Sequence, residues 1–459
     1  MTDPADLTLS EASALVAARE LSSAELVQAT LRRLDATEPR VHAYAHRFDE
    51  AALAAARDAD STPRRGPLHG LPFAVKDTLS THGTPTEAGS RSLAGRIGTF
   101  DATAVARLRA AGAIMLGKHV THEFAQGQEE AVTRNPWAPE RFAGGSSAGS
   151  GASVAVGSSM LSVATDAGGS TRMPAALTGV VGLKPTYGRI STYGTVPGAA
   201  VAGAEHIGLV TRSVADLDLV LPVVSGADPH DARTADQPVY RPSLARGAAG
   251  RRIGVIRRVR AGQRVESAVD EGFERALSAL QGLGATLVEL DLDLALASPA
   301  AALLVGAAAS APHLGTLQQG GDGIRHEVRL HLAAGLLIPA QFVHAARSVR
   351  TLLRRQVGEA FATHRLDALA TPTLPSVPPL LADFDPATDM GALTDFVSPW
   401  NLTGQPAISV PAGLSPGGLP LAVQFVGVPF GEADLVALAV AFEAVMTQSR
   451  PAPLAERVP

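Results

Sequence analysis

The 459-residue sequence is 46% hydrophobic and 18% charged, enough to bury a sizeable core and unlike a disordered chain. Its formal charge of −5, from 39 Lys and Arg against 44 Asp and Glu, includes no basic block of the kind that tracks nucleic acid or an anionic membrane. Cysteine is absent, which removes disulfides, thiolate metal sites and cysteine nucleophiles.

Met1–Ser10 has neither a basic n-region nor an apolar h-region, so no signal peptide is expected and a cytoplasmic location agrees with the composition. Thr8-Leu9-Ser10-Glu11 and Ser22-Ser23-Ala24-Glu25 match the capping box, in which a hydroxyl and a carboxylate satisfy free N–H groups reciprocally. They predict two N-terminal helices, the second ending at Pro39, then a strand within Val41–Phe48 and a helix over Glu50–Asp58. Leu71–Val75 reads as a buried strand, followed by helix Asp101–Ala111, strand Ala113–Gly117, helix Ser150–Ser158 and strand Leu161–Thr165. Farther on come strand Ile253–Ile256, helix Val265–Leu283 and strand Thr286–Leu290. Ser298–His364 is a helical segment, with Arg347, Arg350, Arg354 and Arg355 on a solvated face. Strands Leu366–Ala370, Ala407–Val410 and Leu421–Val426 precede a last helix, Glu432–Met446. The alternation predicts an α/β fold with a mixed or mostly parallel sheet, built as one large domain over 1–459. Pro229–Gly250 reads as a surface excursion. The most apolar windows, Ala301–Ala309 and Leu332–Pro339, are shorter than the ~20 residues of a membrane span.

Chemistry concentrates between Phe142 and Pro185, where Gly144-Gly145-Ser146-Ser147 and Gly168-Gly169-Ser170 flank a short apolar segment. Glycine there lets backbone N–H groups approach a ligand closely. A phosphate loop is excluded because Ala152-Ser153, rather than Lys-Ser/Thr, follows the last glycine, and no acidic residue sits at the ribose distance of a dinucleotide fold. Gly145-Ser146-Ser147-Ala148-Gly149 satisfies the G-x-S-x-G nucleophile elbow, but the residues before it, Asn135 to Arg141, hold two prolines and cannot be the strand that an elbow requires. His119 and His122 lack a third ligand at a metal-site spacing and read as structural.

With these set aside, Gly144–Gly157, Thr165–Ser191 and Pro72–Asp77 resemble the amidase signature family. Trp400–Pro411 and Leu419–Gly427 support the resemblance, which spans nearly the whole chain. It implies a central mixed sheet flanked by helices on both faces, with N-terminal helices over 8–60, a signature core over 68–225, a helical and substrate-pocket segment over 298–400, and C-terminal strands and helix over 401–450. It implies a Ser–cis-Ser–Lys triad, with Ser170 as nucleophile, Ser146 as proton relay after a cis Gly145–Ser146 peptide, and Lys76 as base. It further implies an oxyanion hole of the Ala167, Gly168, Gly169 and Ser170 amides, with support from Ser147 to the lysine or the relay serine. Asp166 and Arg172 are expected to hold the loop, the alternative for Arg172 being a substrate carboxylate. Ala167 and Thr171 stand where larger β-branched residues are more usual, and Thr178 where cysteine is frequent; these bear on pocket shape.

The residues themselves agree with this. A serine hydroxyl is a poor nucleophile until a base takes its proton. Lysine can be that base only if desolvation brings its pKa down from ~10.4 towards neutrality, and Lys76 closes an apolar run. The expected activity is hydrolysis of a linear amide C–N bond through a seryl acyl-enzyme, without cofactor or metal. The expected partner is a small-molecule amide, with no nucleic acid and no membrane, and a homodimer is allowed. The alternative is a glutaminase-type subunit of a tRNA-dependent amidotransferase, for which Asp395 and Gly323–Leu332 lie where glutamine-binding groups occur. Against it, Asp322–His331 lacks the fuller Tyr/Arg pattern of such subunits. Substrate selection is expected from Gln126–Asn135, Ala301–Leu337 and Thr371–Trp400, with Phe396 and Trp400 as an aromatic acyl pocket.

Overall fold

In the computed structural model, residues 3–126, 132–199, 203–234, 237–242 and 247–446 are described. Parts of two stretches named above, 126–135 and 229–250, therefore lie outside the described residues. Among the described residues eleven strands form one sheet. In chain order these are β1 (Tyr44–Arg47), β2 (Pro72–Lys76), β3 (Ile114–His119), β4 (Leu161–Asp166), β5 (Val181–Lys184), β6 (His206–Thr211), β7 (Arg252–Val255), β8 (Thr286–Glu289), β9 (Ala368–Pro372), β10 (Ala407–Leu414) and β11 (Pro420–Val426). Across the sheet they run β1-β3-β2-β4-β6-β5-β10-β11-β9-β7-β8. The β3-β2-β4 and β9-β7-β8 groups are parallel and the rest antiparallel, so the sheet is mixed rather than mostly parallel.

Successive strand residues point to opposite faces, and the core divides accordingly. Phe73 and Val75 of β2 and Phe425 of β11 pack with Val105, Leu108, Leu217, Phe273 and Phe442 from helices on one face. Ala74 packs the other way with Val27, Leu34 and Ala52, while Leu369, Ala407 and Val426 meet Ala300, Leu353 and Trp400. Each large side chain buried this way contributes roughly 1.5–3 kcal/mol of transfer free energy.

Both capping boxes form, at Thr8–Glu11 and Ser22–Glu25. The second helix does not stop at Pro39 but runs from Ser23 to Val41. Proline only forfeits a hydrogen bond here, two residues from the end, and His42 in the left-handed region closes the helix by donating to the Glu38 carbonyl at 2.9 Å. Strands β5 and β6 and helix Arg172–Thr178 are not evident from the sequence pattern. Both strands are buried along their whole length, so they show no alternation, and each contains a glycine. The apolar window at 301–309 belongs to a longer element: helix Ala297–Ser310 continues to Gln318 as one run of 22 residues, long and apolar enough to cross a bilayer. In this fold it buries Ala297, Ala300 and Ala309 against its neighbours.

Candidate active site

Parallel pairing of β2 with β4, in register at Ala74–Ser162 and Val75–Val163, brings the C-terminal ends of the two strands side by side. Such ends are where α/β sheets place ligands. Lys76 is the last residue of β2, and Thr165 and Asp166 are the last of β4. The Lys76 ammonium is fully buried and donates to Ser146 Oγ at 2.7 Å and to Thr165 Oγ1 at 2.9 Å. Burial pushes its pKa down to about 8, against the opposing pull of the Glu205 and Asp166 carboxylates. The Gly145–Ser146 peptide is cis. Gly144 has φ +88°, and a Cβ there would lie 2.6 Å from Pro174 Cα, so only glycine lets this loop rest on helix Arg172–Thr178. The His122 amide holds the Ser146 carbonyl at 3.1 Å.

Ser170 is half-buried and opens on a cleft shared with Gln126, Thr165, Ala167, Ala199 and Glu205. Its loop is organised by Asp166, which accepts from Gly169 N–H at 2.7 Å and pairs with Arg172 at 3.0 Å. Burial works against ionisation of Asp166, but the adjacent guanidinium and the Asn401 amide outweigh it and hold its carboxyl well below the usual range. The bond from Gly169 corrects one expectation: that amide is already committed to Asp166. Among the described residues, the amides of Ala167, Gly168 and Ser170 donate to no protein acceptor. Three of the four expected amides are therefore unengaged.

Other expectations also change. Ser147 supports neither Lys76 nor Ser146 directly; its hydroxyl donates to the Thr165 carbonyl at 3.2 Å, and its residue precedes helix Ala148–Val156 in loop rather than strand. Arg172 cannot read a substrate carboxylate, because it is fully buried and spent on Asp166, the Val397 carbonyl, Gln424 and Asn401. Phe396 and Trp400 are fully buried in the core and do not line the cleft. Asp395 is tied to Arg260 at 2.9 Å and to Ser298 at 3.1 Å. Arg347, Arg354 and Arg355 are solvated as expected, but Arg350 turns inward over the Tyr187 ring.

Thr165, Glu205, Asn401 and Gln424 join the site without having stood out in the sequence. A second buried lysine, Lys118, lies apart from this set, 3.5 Å from Asp77, and donates to the Leu79 carbonyl and to Thr81 and Thr86. Thr165 opens the second glycine motif, and Asn401 and Gln424 sit inside the two C-terminal stretches of resemblance, so position in those motifs was the available signal.

Residues 25–436 match the family described as Amidase. The chain belongs to that family. The A subunit of the glutamyl-tRNA(Gln) amidotransferase of Chloroflexus aggregans is 39% identical, with 97% of each protein covered. Among solved structures, a chain from a vestigial protein complex bearing on the evolutionary origins of an s-triazine catabolic enzyme is 30% identical with TM-score 0.87, covering 97% of this chain and 99% of that one. The native peptide amidase of Stenotrophomonas maltophilia is 29% identical with TM-score 0.83, covering 97% and 98%. Their shared fold is the α/β architecture described above.

Proposed function

We propose that the protein cleaves an amide C–N bond through an acyl-enzyme on Ser170. The observation that carries this reading is the fully buried Lys76, 2.7 Å from Ser146 Oγ and depressed to about 8. A neutral amine in that position can take a proton. Ser170 Oγ attacks the carbonyl carbon while its proton passes to Ser146, whose own proton passes to Lys76. The tetrahedral oxyanion rests on the amides of Ala167, Gly168 and Ser170, each such donor being typically worth about 3 kcal/mol. The proton returns through Ser146 to the leaving nitrogen, the C–N bond breaks, and water hydrolyses the ester by the same route. The test is labelling by a fluorophosphonate at Ser170, lost in Ser170→Ala and greatly slowed in Lys76→Ala. Full labelling in Lys76→Ala would rule out lysine as the base.

A second reading uses the same chemistry as the glutaminase half-reaction of a tRNA-dependent amidotransferase. It is favoured by the 39% identity, over 97% of the chain, to a protein named as a component of such an enzyme. Against it, Asp395 is engaged by Arg260 and Ser298 rather than directed at a ligand. Purified alone, an amidase turns over simple amides; an amidotransferase component shows glutaminase activity only with its tRNA-binding partner.

A further inference from the structure

Helices His326–Leu336 and Ala340–His364 meet at an 88° bend and are together long and apolar enough for a broken membrane span. Their inward faces are already used. Val328 and Leu332 pack with Ala199 and Ala309, and Ala346, Leu353 and Val357 pack with Ala300. A second apolar set faces outward: Leu330, Leu337 and Phe342 are 57%, 80% and 52% exposed, and Leu352 is exposed farther along the longer helix. Leu337 and Pro339 occupy the bend itself and are exposed, so the apolar tip is a projecting corner rather than a groove. Apolar side chains that cluster outside a filled core mark an interaction surface.

Charge decides what this surface meets. Residues 325–355 hold six arginines against one acid, Glu327, a net charge of +5 in a chain whose total is −5. Exposed Arg347 stands five residues from Phe342, and exposed Arg355, whose ion pair with exposed Glu359 at 3.5 Å is worth little, stands three from Leu352. A second copy of this chain, related by a two-fold axis, would set the same cations against each other. A projecting corner offers a protein partner no pocket, whereas a lipid surface needs apolar area and cations but no matching shape. The 11 residues of His326–Leu336 are too few to cross a bilayer, so the elbow lies on the surface.

We propose that this elbow docks on an anionic membrane surface, laying Leu337 and Phe342 into the headgroup layer while its arginines meet lipid phosphates and carboxylates. The expectation of no membrane partner rested on the lack of a basic block, and here the fold gathers arginines that are spread along the sequence. The proposal does not depend on the chemistry at Ser170.

The test is co-sedimentation of the full chain with vesicles of phosphatidylcholine alone and of equal parts phosphatidylcholine and phosphatidylserine. The chain should pellet with the anionic vesicles, stay in solution with the neutral ones, and be released as salt screens the charges. Leu337→Ser and Phe342→Ser should each weaken binding about tenfold, and Arg347→Gln and Arg355→Gln about fivefold each. All four residues are exposed, so stability in urea should hold. Val239→Ser, which removes an apolar side chain exposed elsewhere, should leave binding unchanged. No pelleting with the anionic vesicles, or full pelleting of the Leu337→Ser/Phe342→Ser double variant, overturns the proposal. So does binding to soluble poly-L-glutamate in place of vesicles, which assigns the elbow to an acidic protein, or a wild-type dimer that the two serine variants disperse.

Discussion

Gly169 donates its amide to Oδ1 of Asp166 at 2.7 Å, three residues back along the chain. The same carboxylate takes the Thr171 amide and pairs with Arg172 at 3.0 Å, so the turn that carries Ser170 is closed on a buried charge. A loop held this way keeps the amides around Gly169 in one arrangement before any ligand arrives, which is what an oxyanion site requires.

Arg172 should be intolerant even of lysine. Its guanidinium serves Asp166, Asn401, Gln424 and the Val397 carbonyl at once, and an ammonium cannot reproduce that fork. Arg172→Met leaves Asp166 buried without its cation and should cost about 3–5 kcal/mol. Urea denaturation measures this, and a loss under about 1 kcal/mol would contradict the network.

Gly169 combines φ +116° with a close neighbour: a Cβ there would lie 2.3 Å from Val397 Cγ2. In the proposed mechanism Gly169→Ala should therefore displace the loop and reduce acylation of Ser170 by on the order of a hundredfold, the scale of one lost oxyanion donor. Val397→Ala makes room, so the double variant should recover part of the rate but not the backbone strain. Equal rates in the single and double variants would mean that Val397 is not the obstacle.

Thr165 gives Lys76 its second acceptor at 2.9 Å. In the proposed mechanism Thr165→Val leaves the lysine with one partner, weakens the protonated form and loosens its position. The half-maximal pH of acylation should fall and the plateau rate should drop about tenfold, the scale of one hydrogen bond to a charged group. Thr165→Ser should restore both, and a valine variant with a wild-type profile would show that Ser146 alone positions Lys76.

Stability should depend on pH in a defined direction. Burial depresses both Lys76 and Lys118 to about 8, against 10.5 for a free lysine. Between those values the unfolded chain binds more protons than the folded one, so these groups make unfolding harder as the pH rises from 8. Tyr44 and Tyr240 act oppositely: burial raises both above 10.0, and past that pH the unfolded chain gives up protons that the folded one keeps. Unfolding free energy measured in urea from pH 7 to 11 should climb between about 8 and 10 and then turn over. A monotonic fall from pH 7 would show that the two lysines do not dominate this window.

Much of this site was written locally. The apolar run ending in Lys76 and the capping boxes are short-range patterns, and the strand and capped helices they call for are present, as is the cis Gly145–Ser146 peptide that the family resemblance implied. Local pattern also misled. Phe396 and Trp400 were expected to form an acyl pocket because they are aromatic residues in a segment outside the signature motifs, yet burying that much apolar surface draws them into the core. The family resemblance put the Gly169 amide among the oxyanion donors, yet a carboxylate three residues away takes it.

Family and α/β class were legible in the chain alone, the first from motifs that resemble the family and the second from the alternation of elements. Which groups meet was decided by the sheet. Parallel pairing of β2 with β4 sets Lys76 against Thr165, and antiparallel pairing of β4 with β6 sets Asp166 opposite His206. Asn401 and Gln424 reach Arg172 across 229 and 252 positions of the chain. Contacts at such separations depend on strand order and register, which no local pattern carries, and they fix the charge around Lys76 on which its proposed chemistry depends.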